Sequence, residues 1–135
     1  MTAVIRFVTH VDLNDGATDA RNLSVSARLE AVLADGRSVT LLNDRGWTST
    51  PFVARTAEPP DVRAWTSVED IEETSRMVVG PDEPFDGWTH EEAAAAHWAY
   101  LADILKGHGA DVRAAELAQL PHDVALSDRL RAHVT

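Results

Sequence analysis

From Leu23 the apolar residues fall on every second position, Leu23, Val25, Ala27, Leu29, Ala31 and Leu33, with Ser24, Ser26, Arg28 and Glu30 between them. Period two is the pattern of a strand with one face buried and the other in water. Asp35-Gly36 follows and predicts a two-residue type I′ hairpin, whose central residues both take positive φ, with Arg37 to Leu42 as the returning strand. A hairpin over about 23–43 is expected. Ahead of it, residues 3–8 (Ala-Val-Ile-Arg-Phe-Val) predict a short strand, and residues 9–22, which include Asn14-Asp15-Gly16, predict a polar loop. Behind it, Asn43-Asp44-Arg45-Gly46 predicts a second turn. Thr50 to Arg55 contains Pro51, which removes a ladder donor, so this segment is at best an edge strand. Glu58-Pro59-Pro60-Asp61 ends the β-rich part.

Beyond residue 62 the period changes to that of a helix. Thr89 followed three residues later by Glu92 is a capping box, each side chain satisfying a first-turn backbone N–H that has no helical partner. A long helix therefore starts at residue 89 or 90, runs through four alanines, and stops at Gly107 after Lys106, a cation at the negative end of the dipole. Ala94, Trp98, Leu101, Ile104 and Leu105 form its apolar stripe at roughly 100° per residue. Trp65-Thr66-Ser67-Val68-Glu69 repeats the Trp-Thr-x-x-Glu pattern and predicts a second capped start, with Val68, Ile71, Ser75 and Val78 facing inward and Gly80-Pro81 as its end. Asp111 is expected to cap a short helix through Leu117 or Leu120, which Pro121 interrupts. Val124, Ser127, Leu130 and Val134 then sit at helical spacing for a last helix.

Strands first and helices afterwards predict an α+β fold. It would be a single domain over 1–135, β-rich over 1–62 and helical over 63–135, with a small antiparallel sheet covered on one face by three to four helices. A chain of 135 residues suits one core.

Composition narrows the chemistry. The chain has no cysteine, which removes disulfides, thiolate nucleophiles and cysteine-ligated metal centres. The first residues lack the pattern of a secretory signal and no stretch has the apolar length of a membrane span, so a cytoplasmic location is expected. Arginine supplies 11 of the 12 basic residues and alanine is abundant, as codons of a GC-rich bacterial genome would give.

The net charge of −10 is unevenly spread, with residues 63–110 carrying 10 of the 22 acids and 3 of the 12 bases. A surface of that sign repels nucleic acid and anionic membranes and attracts a basic protein or a cationic ligand. It also simply confers solubility.

Two histidines lie where a helix normally keeps leucine. His97 falls inside the apolar stripe, and His90 is almost in line with it two turns earlier. A zinc-peptidase motif needs histidines at i and i+4, and Ala94 occupies that place. The two rings stand roughly 10 Å apart along the axis, too far to share one ion, so no metal is expected. The plainer reading of His97 is a core histidine with its ring N–H paired, and the functional one is a pocket histidine serving as acid or base beside Trp98.

Other motifs fall short. Asp82-x-x-x-Asp86-Gly87 has Pro84 and Ala93 where a calcium loop needs ligands. Residues 111–133 resemble a helix-turn-helix in spacing alone, with Asp128 among only two arginines in the second helix. There is no Gly-rich phosphate loop, no nucleophile elbow and no internal repeat.

Acidity on one segment without a catalytic motif points first to a non-catalytic protein-binding module, inhibitor-like or an accessory subunit. Its acidic helical face over 66–92 would meet a basic protein partner through Glu69, Glu72, Glu73 and Glu91, with Trp88 and Trp98 as aromatic contacts. Self-association is a further possibility, and no cofactor, nucleic acid or membrane is expected. The alternative is a small-molecule binder or small enzyme with a pocket between the sheet and the long helix near His97, and acids beside tryptophans would suit an amine there.

Overall fold

The computed structural model describes residues 2–15, 19–51, 60–84 and 86–135. In chain order the elements are β1 (Thr2–Leu13), β2 (Leu23–Leu33), β3 (Ser38–Ser49), a 3₁₀ turn (Val62–Ala64), α1 (Val68–Val78), α2 (His90–Gly107), β4 (Ala110–Asp111), α3 (Ala114–Leu117), β5 (His122–Leu126) and α4 (Asp128–Val134). The α+β class holds. The sheet, however, is mixed. β1 pairs antiparallel with β2, and β2 with β3, while the other edge of β1 takes β4 and then β5 in parallel. Two of the five strands thus come from the C-terminal half.

The period-two pattern sets the layers. The odd-numbered residues of β2 from Leu23 to Leu33 are all buried, whereas Ser26 and Arg28 are exposed. One core cluster joins that face to α2, through Leu29, Leu33, Leu101 and Leu105 among others. A second joins it to α1, the 3₁₀ turn and α4, through Val25, Ile71, Val62 and Leu130. The opposite face carries polar pairs, Arg6 Nη1 with Asp123 at 2.7 Å and His10 Nε2 with Glu30 at 3.0 Å.

Several local expectations are corrected. The strand expected over 3–8 continues to Leu13, into what the sequence predicts as loop, because β2 and β5 flank it and satisfy its backbone on both sides. Asn43–Gly46 is not a turn but part of β3. The register steps by one extra β3 residue on each side of the Leu29–Leu42 pair, so the strand is bulged there and Leu41 and Leu42 are both buried. Gly46 meets the demand of close packing, since a side chain there would run into the Val25 carbonyl.

The hairpin stands where expected, but only Gly36 has positive φ, at 91°. Its N–H donates to Leu33 O at 3.0 Å, and Leu33 N–H donates to Arg37 O at 2.8 Å. That is a type I turn closed by a glycine bulge, in place of type I′.

Among the helices, the Thr89 capping box is present in both directions, at 3.1 Å to Glu92 N and 3.0 Å from Thr89 N. The residue of positive φ after α2 is Gly109, two positions beyond the expected stop. α1 is capped by Ser67, whose hydroxyl accepts from Asp70 N, rather than by Thr66. Asp111 lies in β4 and caps nothing, and α3 has no side-chain cap. Val124 belongs to β5, and Ser127 caps α4. The segment His122–Leu126 therefore follows its own alternation, with His122, Val124 and Leu126 inward, rather than the helical spacing. Gly16, Phe52–Arg55 of the expected edge strand and Glu58-Pro59 lie outside the described residues.

Candidate functional site

The bulged part of β3 faces the first half of α2 across a cavity of about 450 Å³, and Asp82, Glu83 and Trp88 form its third wall. That volume is within the range of small-molecule sites, roughly 300–1,000 Å³. On α2 the lining residues are Ala93, Ala96, His97 and Tyr100, at i, i+3, i+4 and i+7, which is one face of a helix. The alanines do more than favour helix. Their small side chains leave the space that leucines at 93 and 96 would fill.

His97 stands where that face meets the core. It is 9 % exposed, it lines the cavity, and its Nε2 is buried without a hydrogen-bond partner. Among the described residues only one other buried side-chain nitrogen or oxygen lacks a partner, Trp65 Nε1, in the second core cluster. Burial pushes the His97 pKa below its ordinary value, and the nearby Arg45 guanidinium pushes it the same way. Asp82 and the Val79 carbonyl act in the opposite sense without reversing the shift. His97 is accordingly neutral near pH 7, with one ring N–H and one acceptor lone pair.

His122 shows the contrast. It too is pushed below its ordinary pKa by burial and by Arg76, but its Nε2 lies 2.6 Å from Thr9 Oγ1. His97 is thus half-paired: its ring is hydrogen-bonded to the Val79 backbone, as expected of a core histidine, while Nε2 has no partner.

The charged groups at the cavity are Asp44 and Arg45 on β3 and Asp82 and Glu83 on the loop. Arg45 Nη1 donates to Asp82 Oδ1 at 2.6 Å and to Val78 O at 3.4 Å, and Arg45 Nη2 to Asp82 Oδ2 at 3.4 Å. Arg45 Nε also lies 3.8 Å from Asp44 Oδ1, and one guanidinium against the three carboxylates of Asp44, Asp82 and Glu83 leaves the cavity net negative. Trp88 and Tyr100, 45 % and 58 % exposed, form its aromatic rim.

Of the residues the sequence singles out, Trp88 and His97 are brought together here. Trp98 turns to the core side, stacked on Phe7 with centroids 6.2 Å apart and meeting the His97 ring at 4.8 Å. His90 and Glu91 are exposed on the first turn of α2, and Glu69 and Glu73 are exposed on α1 with Glu72 half-buried. None of these five lines the cavity. Among the described residues no group of three or more His, Asp or Glu is placed to hold a metal ion. No described helix is long and apolar enough to cross a membrane.

The sequence reading missed Arg45, Asp82 and Tyr100. Arg45 and Asp82 lie in segments that look like turns, and Tyr100 was recoverable from its helical spacing to Ala93, Ala96 and His97.

Compared with known protein families, with curated proteins and with solved structures, the chain matches none.

Proposed function

We propose that this protein binds a small molecule in the cavity between β3, α2 and the wall formed by Asp82, Glu83 and Trp88. One observation carries the reading: the cavity is lined by a histidine that is nine-tenths buried and whose Nε2 has no partner in the protein. Buried polar atoms are nearly always paired, and leaving one unpaired costs about 1–3 kcal/mol. A site that accepts this cost beside a cavity of ligand size gains when a ligand supplies the partner. The aromatic rim and the small residues on α2 give such a ligand apolar contact and room.

The test is a thermal-shift screen of a chemically mixed small-molecule library against the protein and against Ala96→Leu, which fills the cavity from an exposed helix position. Binders that raise the melting temperature of the parent and leave the variant unmoved support the reading. A library without binders, or binders indifferent to the substitution, contradicts it.

A second reading, capture of a basic protein by α1, has its own support. Glu69, Glu73 and Met77 follow one another at four-residue spacing, and Met77 is 76 % exposed at the end of that acidic row. An apolar side chain held in water beside acids suits a basic partner with an apolar spot. Reversing Glu69 and Glu73 to lysine should then abolish capture of the partner from native cells, and unchanged capture would exclude this face.

A further inference from the structure

Resting on the reading of the cavity as a ligand site, we infer that its ligand is a primary amine in the ammonium form, carried on a small aromatic or apolar body. Three independent features converge on this chemistry. The ionisable groups that line the cavity are Asp44 and Arg45 on β3, Asp82 and Glu83 on the loop, and His97 and Tyr100 on α2. Arg45 is engaged by Asp82 at 2.6 Å, so the field left in the cavity is that of carboxylates, which favours a cation and disfavours an anion. Trp88 and Tyr100 present ring surface at the rim, and a cation over such a ring within about 6 Å gains further electrostatic attraction. His97, neutral at pH 7, offers an acceptor lone pair that no protein donor uses.

The last feature separates one kind of cation from another. A quaternary ammonium satisfies the carboxylates and the rings but has no N–H to give to an imidazole. A primary ammonium has three. His97 Nε2 is closed to water in the unliganded structure, so the ammonium reaches it as the ring turns or the wall gives; it then addresses His97, a carboxylate and water at once, while its apolar body occupies the space beside Ala93, Ala96 and Leu42. The site therefore discriminates by hydrogen-bond donation as well as by charge. This is the stronger form of selectivity, because an analogue lacking the donor leaves a buried group unpaired.

The experiment uses four probes of one shape in calorimetric titrations of the full chain: 2-phenylethylamine, its trimethylammonium counterpart, 2-phenylethanol and 3-phenylpropionate. The expected order places the primary amine first, at least about tenfold tighter than the trimethylated cation and tighter still than the alcohol and the acid, one unpaired group being worth about a factor of ten. His97→Leu should cost the amine that same factor and leave the trimethylated cation unchanged. Equal binding of the two cations, or preference for the alcohol or acid, overturns the inference, and if the leucine variant fails to fold, the four-probe order on the parent decides. Library hits that are neutral or anionic and sensitive to Ala96→Leu would sink the ligand class and leave the cavity reading standing. Absence of binding by all four probes together with an empty library screen sinks both.

Discussion

Arg45, on the bulged edge strand, and Asp82, in the loop ahead of α2, meet at 2.6 Å across 37 residues of sequence and so join two of the three walls of the cavity. The pair has a second consequence, because both charges act on His97. Arg45 lowers its pKa and Asp82 raises it.

Neutralising either partner should therefore move the His97 titration in opposite directions. Arg45→Met removes a charge that disfavours the imidazolium, so the pKa rises toward the ordinary value near 6.5. Asp82→Asn removes a charge that favours it, so the pKa falls further. Proton NMR of the His97 ring over a pH series reads both shifts, and movement of both variants in one direction would contradict the electrostatic account. The pair itself adds little stability, because the Asp82 side chain is 73 % exposed, and a loss of about 0.5 kcal/mol is expected in either variant.

A second cluster ties the end of β1 to α4. The Arg129 guanidinium donates to Asp12 at 2.7 Å and 3.0 Å and to Asp15 at 2.7 Å, and Ser127 Oγ donates to Asp12 at 2.6 Å. The Arg129 hydrogen bonds, then that of Ser127, hold the Asp12 carboxyl down at about 2. Its folded pKa lies below its unfolded one, so the ionised form contributes stability above about pH 4, and that contribution is lost as pH falls through about 2. Asp12→Asn should unfold at lower denaturant than the parent at pH 7, with the gap closing between about pH 4 and pH 2. A gap that stays constant over that window would assign the loss to something other than this carboxylate.

Two glycines make a graded pair. Gly46→Ala should cost about 1–3 kcal/mol, since its Cβ would meet the Val25 carbonyl and backbone cannot easily yield. Gly36→Ala meets no atom within 4 Å and pays only for positive φ, about 1 kcal/mol. Denaturant midpoints compare them directly, and an equal or reversed order would refute the close approach of β2 and β3 at the bulge.

On α2 two substitutions should separate core from cavity. Leu101→Ala, at a position with no exposure, should cost about 2–5 kcal/mol. Ala96→Leu, three residues past Ala93 on the cavity face, should change stability by no more than about 0.5 kcal/mol while abolishing ligand binding. Thermal melts with and without ligand provide both readouts. A strongly destabilised Ala96→Leu would mean that the space is already packed.

How much of this was legible depended on the range of the interaction that decides each feature. Thr89 and Glu92 bond to each other within one turn, so the start of α2 could be read from the sequence, and the alternation of β2 reports its own burial. Gly36 marked the right place, but its turn type is set by the single residue that takes positive φ, which the Asp-Gly pair does not specify. β5 was hidden because His122 and Asp123 are polar, although the strand is held by its pairing with β1, more than a hundred residues away in sequence. Asn43–Gly46 has the residues of a turn and is held in strand geometry by β2.

The cavity was legible only in its α2 wall. His97 stood out as a polar residue in an apolar stripe, and Trp88 as an aromatic at a helix start. Their partners on β3 and the loop come from long-range packing that local periodicity does not encode.

The central claim is that the face of α2 bearing Ala93, Ala96, His97 and Tyr100 and the bulge of β3 form one binding site. The most direct measurement is ¹H–¹⁵N NMR of the full chain titrated with 2-phenylethylamine or with the best binder from the library screen. The account predicts saturable shift changes concentrated at residues 41–45, at Asp82, Glu83 and Trp88, and at residues 93–100. Saturable changes centred instead on the acidic row Glu69, Glu73 and Met77, or on the open face of the sheet around His10 and Arg28, would contradict it.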